Sequence, residues 1–213
     1  MKFSVLIGSH ARGDANQYSD CDVLLINTSK MDFDEDCLPI QARKHVNYID
    51  YDSDTFLRLH EIGSLFVYHV LHEGMLLSGS LVEWRGWRES FSVQTNYLVE
   101  LDHIVKVTDF LSRTGMFGGK YLTPLVNAFT EIKNACIFYL AHNGVYEFNK
   151  MKCFDACAQF VDEFSRIKEL KRFYDYSVRG MSLELPFNPN DEDCKGVLED
   201  VHVMARRLRD ACK

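Results

Sequence analysis

The sequence lacks the features that mark a membrane, secreted or nucleic-acid-binding protein. No apolar run approaches the ~18 residues of a membrane span, and the apolar stretch near the N-terminus is too short for a signal-peptide core. Lys and Arg number 24 against 31 Asp and Glu, so the formal net charge is −7. Binding to a phosphate backbone needs clustered cations, which this balance does not supply. We therefore expect neither a membrane partner nor a nucleic-acid partner.

Cysteine is present, but without the spacing of a disulfide framework or a zinc site. The seven cysteines are odd in number and scattered, and no two of them form a CxxC pair. Cys153 and Cys157 are four residues apart, which places them on one face of a helix, where free cysteines are usually small buried residues. We expect reduced thiols and a cytoplasmic protein.

The 213 residues, of which 46% are hydrophobic, fall into two parts with different hydrophobic patterns. Up to about residue 80, apolar runs of strand length alternate with turn residues, and residues 52–74 have the spacing of one helix. From residue 94 onward strand signals vanish and 3.6-residue periodicity dominates, with helical segments that include Cys153 to Phe164. We predict an α+β protein, with a small mixed-sheet domain over residues 1–93 and a helical bundle over residues 94–213. Trp84 to Ser92 is the candidate hinge.

The stretch from Gly8 to Asp22 is the most informative part of the chain. The first predicted strand ends in Gly8-Ser9, where a residue without a side chain lets the backbone approach a ligand. Ser9 adds a hydroxyl and Arg12 a cation, so this loop offers donors to a phosphate. Asp20 and Asp22 stand at i and i+2 at the head of the next strand, so we expect their carboxylates on one face. Two adjacent carboxylates beside a phosphate site suit Mg²⁺.

A third acid lies in the third predicted strand. Asp50 interrupts the run Tyr48-Ile49-Asp50-Tyr51, and an unpaired buried charge is costly, so we expect it to face the same metal site. Asp52 is an alternative one pleat later. Asp50 is favoured because it is enclosed by apolar and aromatic neighbours, whereas a helix cap would account for Asp52.

These residues resemble the nucleotidyltransferase superfamily that includes DNA polymerase beta, and within it the minimal nucleotidyltransferases and the antibiotic adenylyltransferases. The shared pattern is a Gly-Ser pair, a spacer of about ten residues, an Asp-x-Asp at the head of an apolar strand and an Asp in a later strand. Here Gly8-Ser9, Asp20-Cys21-Asp22 and Asp50 match it, and Ala11 to Ala15 and Ser19 resemble the usual spacer. The resemblance covers residues 3 to about 80.

The resemblance implies magnesium-dependent transfer of a nucleoside monophosphate, with AMP from ATP favoured, to a hydroxyl of a small molecule or a protein. The implied nucleotide-binding residues are Gly8, Ser9, Arg12 and Ser19. The implied ligands of two Mg²⁺ ions, which are also the catalytic residues, are Asp20, Asp22 and Asp50. One ion activates the nucleophile and the other neutralises the leaving pyrophosphate.

The helical part is similar in outline to the bundles that follow this domain in antibiotic adenylyltransferases. This similarity does not identify the molecule that accepts the nucleotide. Relatives often draw a general base from the second domain, and the candidates here are Glu100, Asp102, Asp109 and Glu131. Two alternative functions stay open: synthesis of a signalling oligonucleotide, and a non-catalytic nucleotide-binding or antitoxin-like module. Three acids at matching positions favour catalysis over the last of these. The oligomeric state cannot be read from the sequence.

Overall fold

The computed structural model describes residues 2–40, 42–161 and 166–212, with the backbone alone for Lys44 and His45. The chain divides into two compact units, residues 1–94 and 95–213. The change in hydrophobic pattern predicts a boundary between residues 93 and 94, one residue before the boundary between the two units.

Within the described residues, the first unit contains four strands and four α-helices. The strands are β1 (Phe3–Ile7), β2 (Cys21–Ile26), β3 (Val46–Tyr51) and β4 (Met75–Ser78), and the helices are α1 (Gly8–Arg12), α2 (Ser53–Glu61), α3 (Leu65–Glu73) and α4 (Leu81–Ser90). The sheet order is β3-β2-β1-β4. Strand β1 runs antiparallel to β2 and to β4, whereas β2 and β3 are parallel. The sheet is therefore mixed, and the predicted α+β class is confirmed.

Each face of the sheet has its own hydrophobic core. The face that we call the helix face carries strand residues such as Val5 and Leu24, packed with residues of α2, α3 and α4. The opposite face, which we call the loop face, carries Leu6 and Leu25, packed with the segment that follows β2. Because strand side chains alternate between the faces, the parity of a residue along its strand decides which core it joins.

The single helix predicted over residues 52–74 is wrong, because the structure has two helices there. Helix α2 begins after Asp52, whose Oδ1 accepts from the Thr55 amide at 2.6 Å, and it ends at Glu61. Gly63 then adopts the left-handed conformation with φ 68°, which interrupts a helix. Ser64 caps α3 by accepting from the Phe66 amide. The apolar periodicity continues across this break because both helices pack against the helix-face core.

The segment predicted as a hinge, Trp84 to Ser92, lies within the first unit. Most of it belongs to α4, which is capped by Ser80 accepting from the Glu83 amide at 3.3 Å. Trp84 is buried in the helix-face core, with its ring centroid 5.6 Å from that of Phe3. Because Trp84 is a large buried side chain, α4 packs firmly against the sheet.

The described part of the second unit consists of helices and loops, without a strand. Its helices are α5 (Leu98–Ser112), α6 (Leu122–His142), α7 (Lys152–Ala156), α8 (Ala158–Val161), α9 (Leu170–Arg179) and α10 (Asp193–Asp210). They enclose one core, in which α6 contributes the most buried residues. The helix predicted from Cys153 to Phe164 is divided into α7 and α8, and residues 162–164 lie outside the described residues.

Each of the seven cysteines lies in the described part of the chain and is a free thiol. Six are buried and only Cys37 is exposed. Cys153 and Cys157 are both fully buried in the helical core, as their spacing predicted. Among the helices of the described residues, none combines the length and the apolar character that crossing a bilayer requires.

Candidate functional site

The ends of β1 and β2 bring Gly8 against Asp22. The antiparallel register pairs Ile7 with Asp22, so the residue after β1 lies level with the start of β2. Gly8 has φ 72°, a left-handed conformation that favours glycine. A Cβ atom on Gly8 would lie 3.1 Å from Asp22 Oδ2. The structure thus joins the Gly-Ser pair and the second acid of the Asp-x-Asp in one place, with a space beside the carboxylate that only glycine leaves open.

Asp20 stands directly before β2 and its side chain is exposed. Two residues of extended chain span about 7 Å, so Asp20 stays close to Asp22. The preceding Ser19 is buried, and its Oγ accepts from the Asn16 amide at 2.9 Å. The hydroxyl of Ser19 therefore stabilises the turn that presents Asp20, a role that differs from the predicted contact with a nucleotide.

The structure does not bring Asp50 to this site. Strands β2 and β3 pair with Asp22 opposite Asn47 and with Leu25 opposite Asp50. Asp50 is three residues from Asn47, an odd number, so it lies on the loop face and about 10 Å further along the strand. Its side chain is exposed, so its charge is hydrated without a metal. Asp50 is therefore not a buried charge in need of a cation, and the prediction that it faces the metal site is wrong.

Asn47 occupies the position expected of the third acid. Its Nδ2 donates to Asp22 Oδ1 at 2.9 Å, so the amide holds one oxygen of the carboxylate while the other borders Gly8. The sequence motif does not indicate Asn47, because the motif has an acid at this point. The available signal was alternation along β3, in which Asn47, Ile49 and Tyr51 share a face. Asp52, the other candidate, serves as the cap of α2.

Arg12, the predicted cation of the phosphate loop, is engaged with two carboxylates. Its Nε lies 3.2 Å from Asp14 Oδ2 and its NH1 lies 3.4 Å from Glu73 Oε2. Glu73 also pairs with His69, whose Nδ1 is 2.9 Å from the same Oε2. This network connects α1, which follows β1, to the end of α3. Glu73 therefore holds both Arg12 and His69 through one carboxylate oxygen.

Replacing Glu73 by Gln should destabilise the first unit in a pH-dependent way. Burial raises the pKa of Glu73, but the His69 imidazole and the Arg12 guanidinium outweigh it and hold this pKa below its ordinary 4.5. Because the folded state favours the ionised carboxylate, Glu73 stabilises the protein at pH values above the unfolded pKa. This contribution is lost as the pH falls through the pKa of the folded state. At pH 7 we expect Glu73→Gln to cost about 1 kcal/mol of unfolding free energy.

Urea unfolding followed by tryptophan fluorescence measures this difference in the first unit, because both tryptophans, Trp84 and Trp87, lie there. The gap in unfolding free energy between Glu73→Gln and the parent chain should close as the pH falls from the ordinary pKa of 4.5 through the lower pKa of the folded state. Glu61→Gln, at an exposed glutamate of α2, is the matched control and should change little at either pH. An unchanged gap at low pH would contradict the assignment.

The residues around Asp22 fit a magnesium ion that is shared with a nucleotide. Mg²⁺ is usually held by one or two carboxylates, with substrate phosphates and water completing the octahedron. Asp20 and Asp22 supply two carboxylates, and the space beside Gly8 lets a phosphate approach Asp22 Oδ2. Within the described residues there is no group of three or more His, Cys, Asp or Glu able to hold a metal. A site made by such protein ligands alone is therefore absent from that part of the chain.

The candidate bases of the second unit differ in their surroundings. Asp102 pairs with Arg209 at 2.6 Å, and Asp109 pairs with Arg113. Burial raises the pKa of Glu131, against the opposing charges of His103 and Lys133. A raised pKa is typical of a carboxyl group that can exchange protons near neutral pH. The surroundings of Glu131 therefore favour its protonated form, whereas the hydrogen bond from Arg209 lowers the pKa of Asp102.

Comparison of the chain with protein-family models, with curated proteins and with solved structures gives no match in any of the three.

Proposed function

We propose that this chain is a magnesium-dependent nucleotidyltransferase that transfers a nucleoside monophosphate, AMP from ATP, to a hydroxyl of a small molecule or a protein. The observation that carries the proposal is the placement of the Asp22 carboxylate against Gly8, one residue past the end of β1. Gly8 follows β1 and Asp22 lies in β2, and the pairing of these two strands brings them within contact distance. This is the arrangement that a metal-bound triphosphate needs.

The chain's own residues would bind and orient the substrate. Gly8 leaves the backbone accessible to a phosphate, and the Ser9 hydroxyl can donate to it. Asp20 and Asp22 would hold the ion, which when bound neutralises phosphate charge and polarises the phosphoryl oxygen. In the transfer, the acceptor oxygen bonds to the α-phosphorus, the bond to the β-phosphate breaks, pyrophosphate leaves and the hydroxyl proton passes to a base. Such chemistry depends mainly on positioning.

Arg12 and Ser19 have a supporting role in this proposal. Arg12 positions α1 through Glu73 and Asp14, so a phosphate would have to compete with two carboxylates for it. Ser19 closes the turn before Asp20. Both residues therefore shape the nucleotide site from outside it, whereas Gly8 and Ser9 remain the residues proposed to touch the phosphates.

A second candidate function is nucleotide binding without transfer, and the position of Asp50 favours it. The inference that catalysis is retained rested on three acids, but the sheet brings only Asp20 and Asp22 together. A site that lacks a third carboxylate can still bind a metal-nucleotide complex. The two functions differ in whether pyrophosphate is released.

Incubation with Mg²⁺ and each of the four NTPs, labelled at the α-phosphate, tests the proposal. We expect nucleotide binding that disappears with EDTA, and pyrophosphate release once a suitable hydroxyl acceptor is added. Label on the chain itself would identify a protein acceptor, and label in longer nucleotides would identify an oligonucleotide synthase. Magnesium-dependent binding without any release would select the non-catalytic alternative. If none of the four nucleotides binds, the chain is not a nucleotidyltransferase and the proposal fails.

A further inference from the structure

We infer that Asn47, rather than a third acid, completes the site on β3, and that the site therefore holds one divalent cation per nucleotide instead of two. Asn47 is a positioning residue in this inference, because it acts through Asp22. The inference rests on the proposed function and goes beyond it by fixing the metal content of the site. Its basis is the register of β2 and β3, together with one side-chain contact.

The register leaves no carboxylate on the relevant face of β3. Asp22 lies opposite Asn47, and the next two pairs on this face are Leu24 with Ile49 and Ile26 with Tyr51. These apolar pairs belong to the helix-face core, which fixes the register because a slip of one residue along β3 would move Ile49 and Tyr51 to the loop face and place Asp50 in the helix-face core. The helix face of β3 therefore contributes a neutral amide at the site and apolar side chains beyond it.

The contact between Asn47 and Asp22 defines what each oxygen of the carboxylate can do. Asn47 Nδ2 donates to Oδ1 at 2.9 Å, so Oδ1 already accepts a hydrogen bond from β3. Oδ2 is the oxygen next to the space at Gly8. A carboxylate oriented in this way binds a cation through Oδ2, on the side where the phosphates would lie. Hydrogen bonds that orient metal ligands commonly change metal affinity about 10–100-fold when removed.

The charge of the site matches one ion. Asp20 and Asp22 carry two negative charges, and the amide of Asn47 adds none. A second divalent cation would have to be held close to the first by the nucleotide's phosphates and water, with no third carboxylate from the protein to offset the repulsion between the two ions. Two-ion sites place the metals about 3.5–4 Å apart, as a clamp on the attacking and leaving oxygens. The neutral residue at this position thus selects a single cation, shared between the Asp pair and the nucleotide.

Counting Mn²⁺ by electron paramagnetic resonance tests the inference. The full chain is mixed with one equivalent of a non-hydrolysable ATP analogue and titrated with Mn²⁺. We expect one Mn²⁺ per bound analogue in the parent chain, one with about tenfold weaker affinity in Asn47→Ala, and two in Asn47→Asp. Asn27→Asp is the matched control, since it adds the same charge at the far end of β2 next to Ser53. It should leave both the count and the affinity unchanged.

The outcomes separate this inference from the proposed function. Two Mn²⁺ per analogue in the parent chain, or a single Mn²⁺ in Asn47→Asp, would overturn the inference while leaving nucleotide transfer intact. A second ion in Asn27→Asp would show that added charge alone, rather than position 47, recruits it, and would also overturn it. Absence of analogue binding in the parent chain would instead refute the proposed function, and the inference with it.

Discussion

Asp22→Asn should lower the rate of nucleotide transfer by about 10³-fold, whereas Asp50→Asn should leave it within about threefold of the parent chain. The first change removes a charge at the metal site, where several kcal/mol of phosphate neutralisation are at stake, and each 1.36 kcal/mol corresponds to a factor of about ten. The second removes an exposed charge on the loop face, where solvent screens it from the site. Pyrophosphate release and magnesium-dependent binding of an ATP analogue are the two readouts.

These two variants discriminate sharply because the motif alone predicts equal losses for both. The side-chain amide that Asp22→Asn introduces would still accept the hydrogen bond from Asn47, so the fold should persist, and circular dichroism of both variants checks this. Asp20→Ala should behave like Asp22→Asn, since it removes the other carboxylate. A loss with Asp50→Asn as large as with Asp22→Asn would show that the strand register does not determine which acids serve the site.

Gly63→Ala should destabilise the first unit by about 3 kcal/mol or more. Gly63 is buried at the junction of α2 and α3, with φ 68°, and its carbonyl accepts from the Gln94 amide at 2.9 Å. A Cβ atom there would lie 2.5 Å from both the Gln94 nitrogen and the Ser92 carbonyl oxygen. These are backbone atoms that cannot turn aside as a side chain could. Tryptophan fluorescence during urea unfolding reports the change.

Gly13→Ala separates the two causes of this loss. Gly13 ends α1 with φ 77°, and a Cβ atom there would meet nothing within 4 Å. Alanine at this position bears only the cost of the left-handed conformation, about 1 kcal/mol. Losses of equal size in the two variants would mean that the contacts with residues 92–94 do not constrain the junction.

The sequence predicted the strands and the proximity of Gly8 to the Asp pair because both follow from local patterns. Apolar runs of strand length indicate β1 and β2, and a short connection between successive strands usually makes them neighbours. The Asp-x-Asp spacing then places its second acid at the start of β2. None of these steps needs knowledge of how distant segments align.

The register of β3 could not be predicted in this way. The sequence of β3, VNYIDY, puts apolar residues on both faces and one polar residue on each, Asn47 on one and Asp50 on the other. Which of them meets Asp22 depends on packing across the sheet, through pairs such as Leu24 with Ile49. The break at Gly63 could not be predicted for a related reason. Hydrophobic periodicity indicates which residues face a core, and two successive helices that pack against the same core can give one continuous pattern.

The residue that donates a hydrogen bond to Asp22 is one base change away from a third acid. Codons for asparagine and aspartate differ in their first base alone, so a single-base change would convert Asn47 to Asp without altering the shape of the side chain. Such a variant would carry three carboxylates around the space at Gly8. Under the proposed function, the neutral and the acidic form of position 47 would differ in the number of cations that they hold, and one could replace the other without rebuilding the sheet.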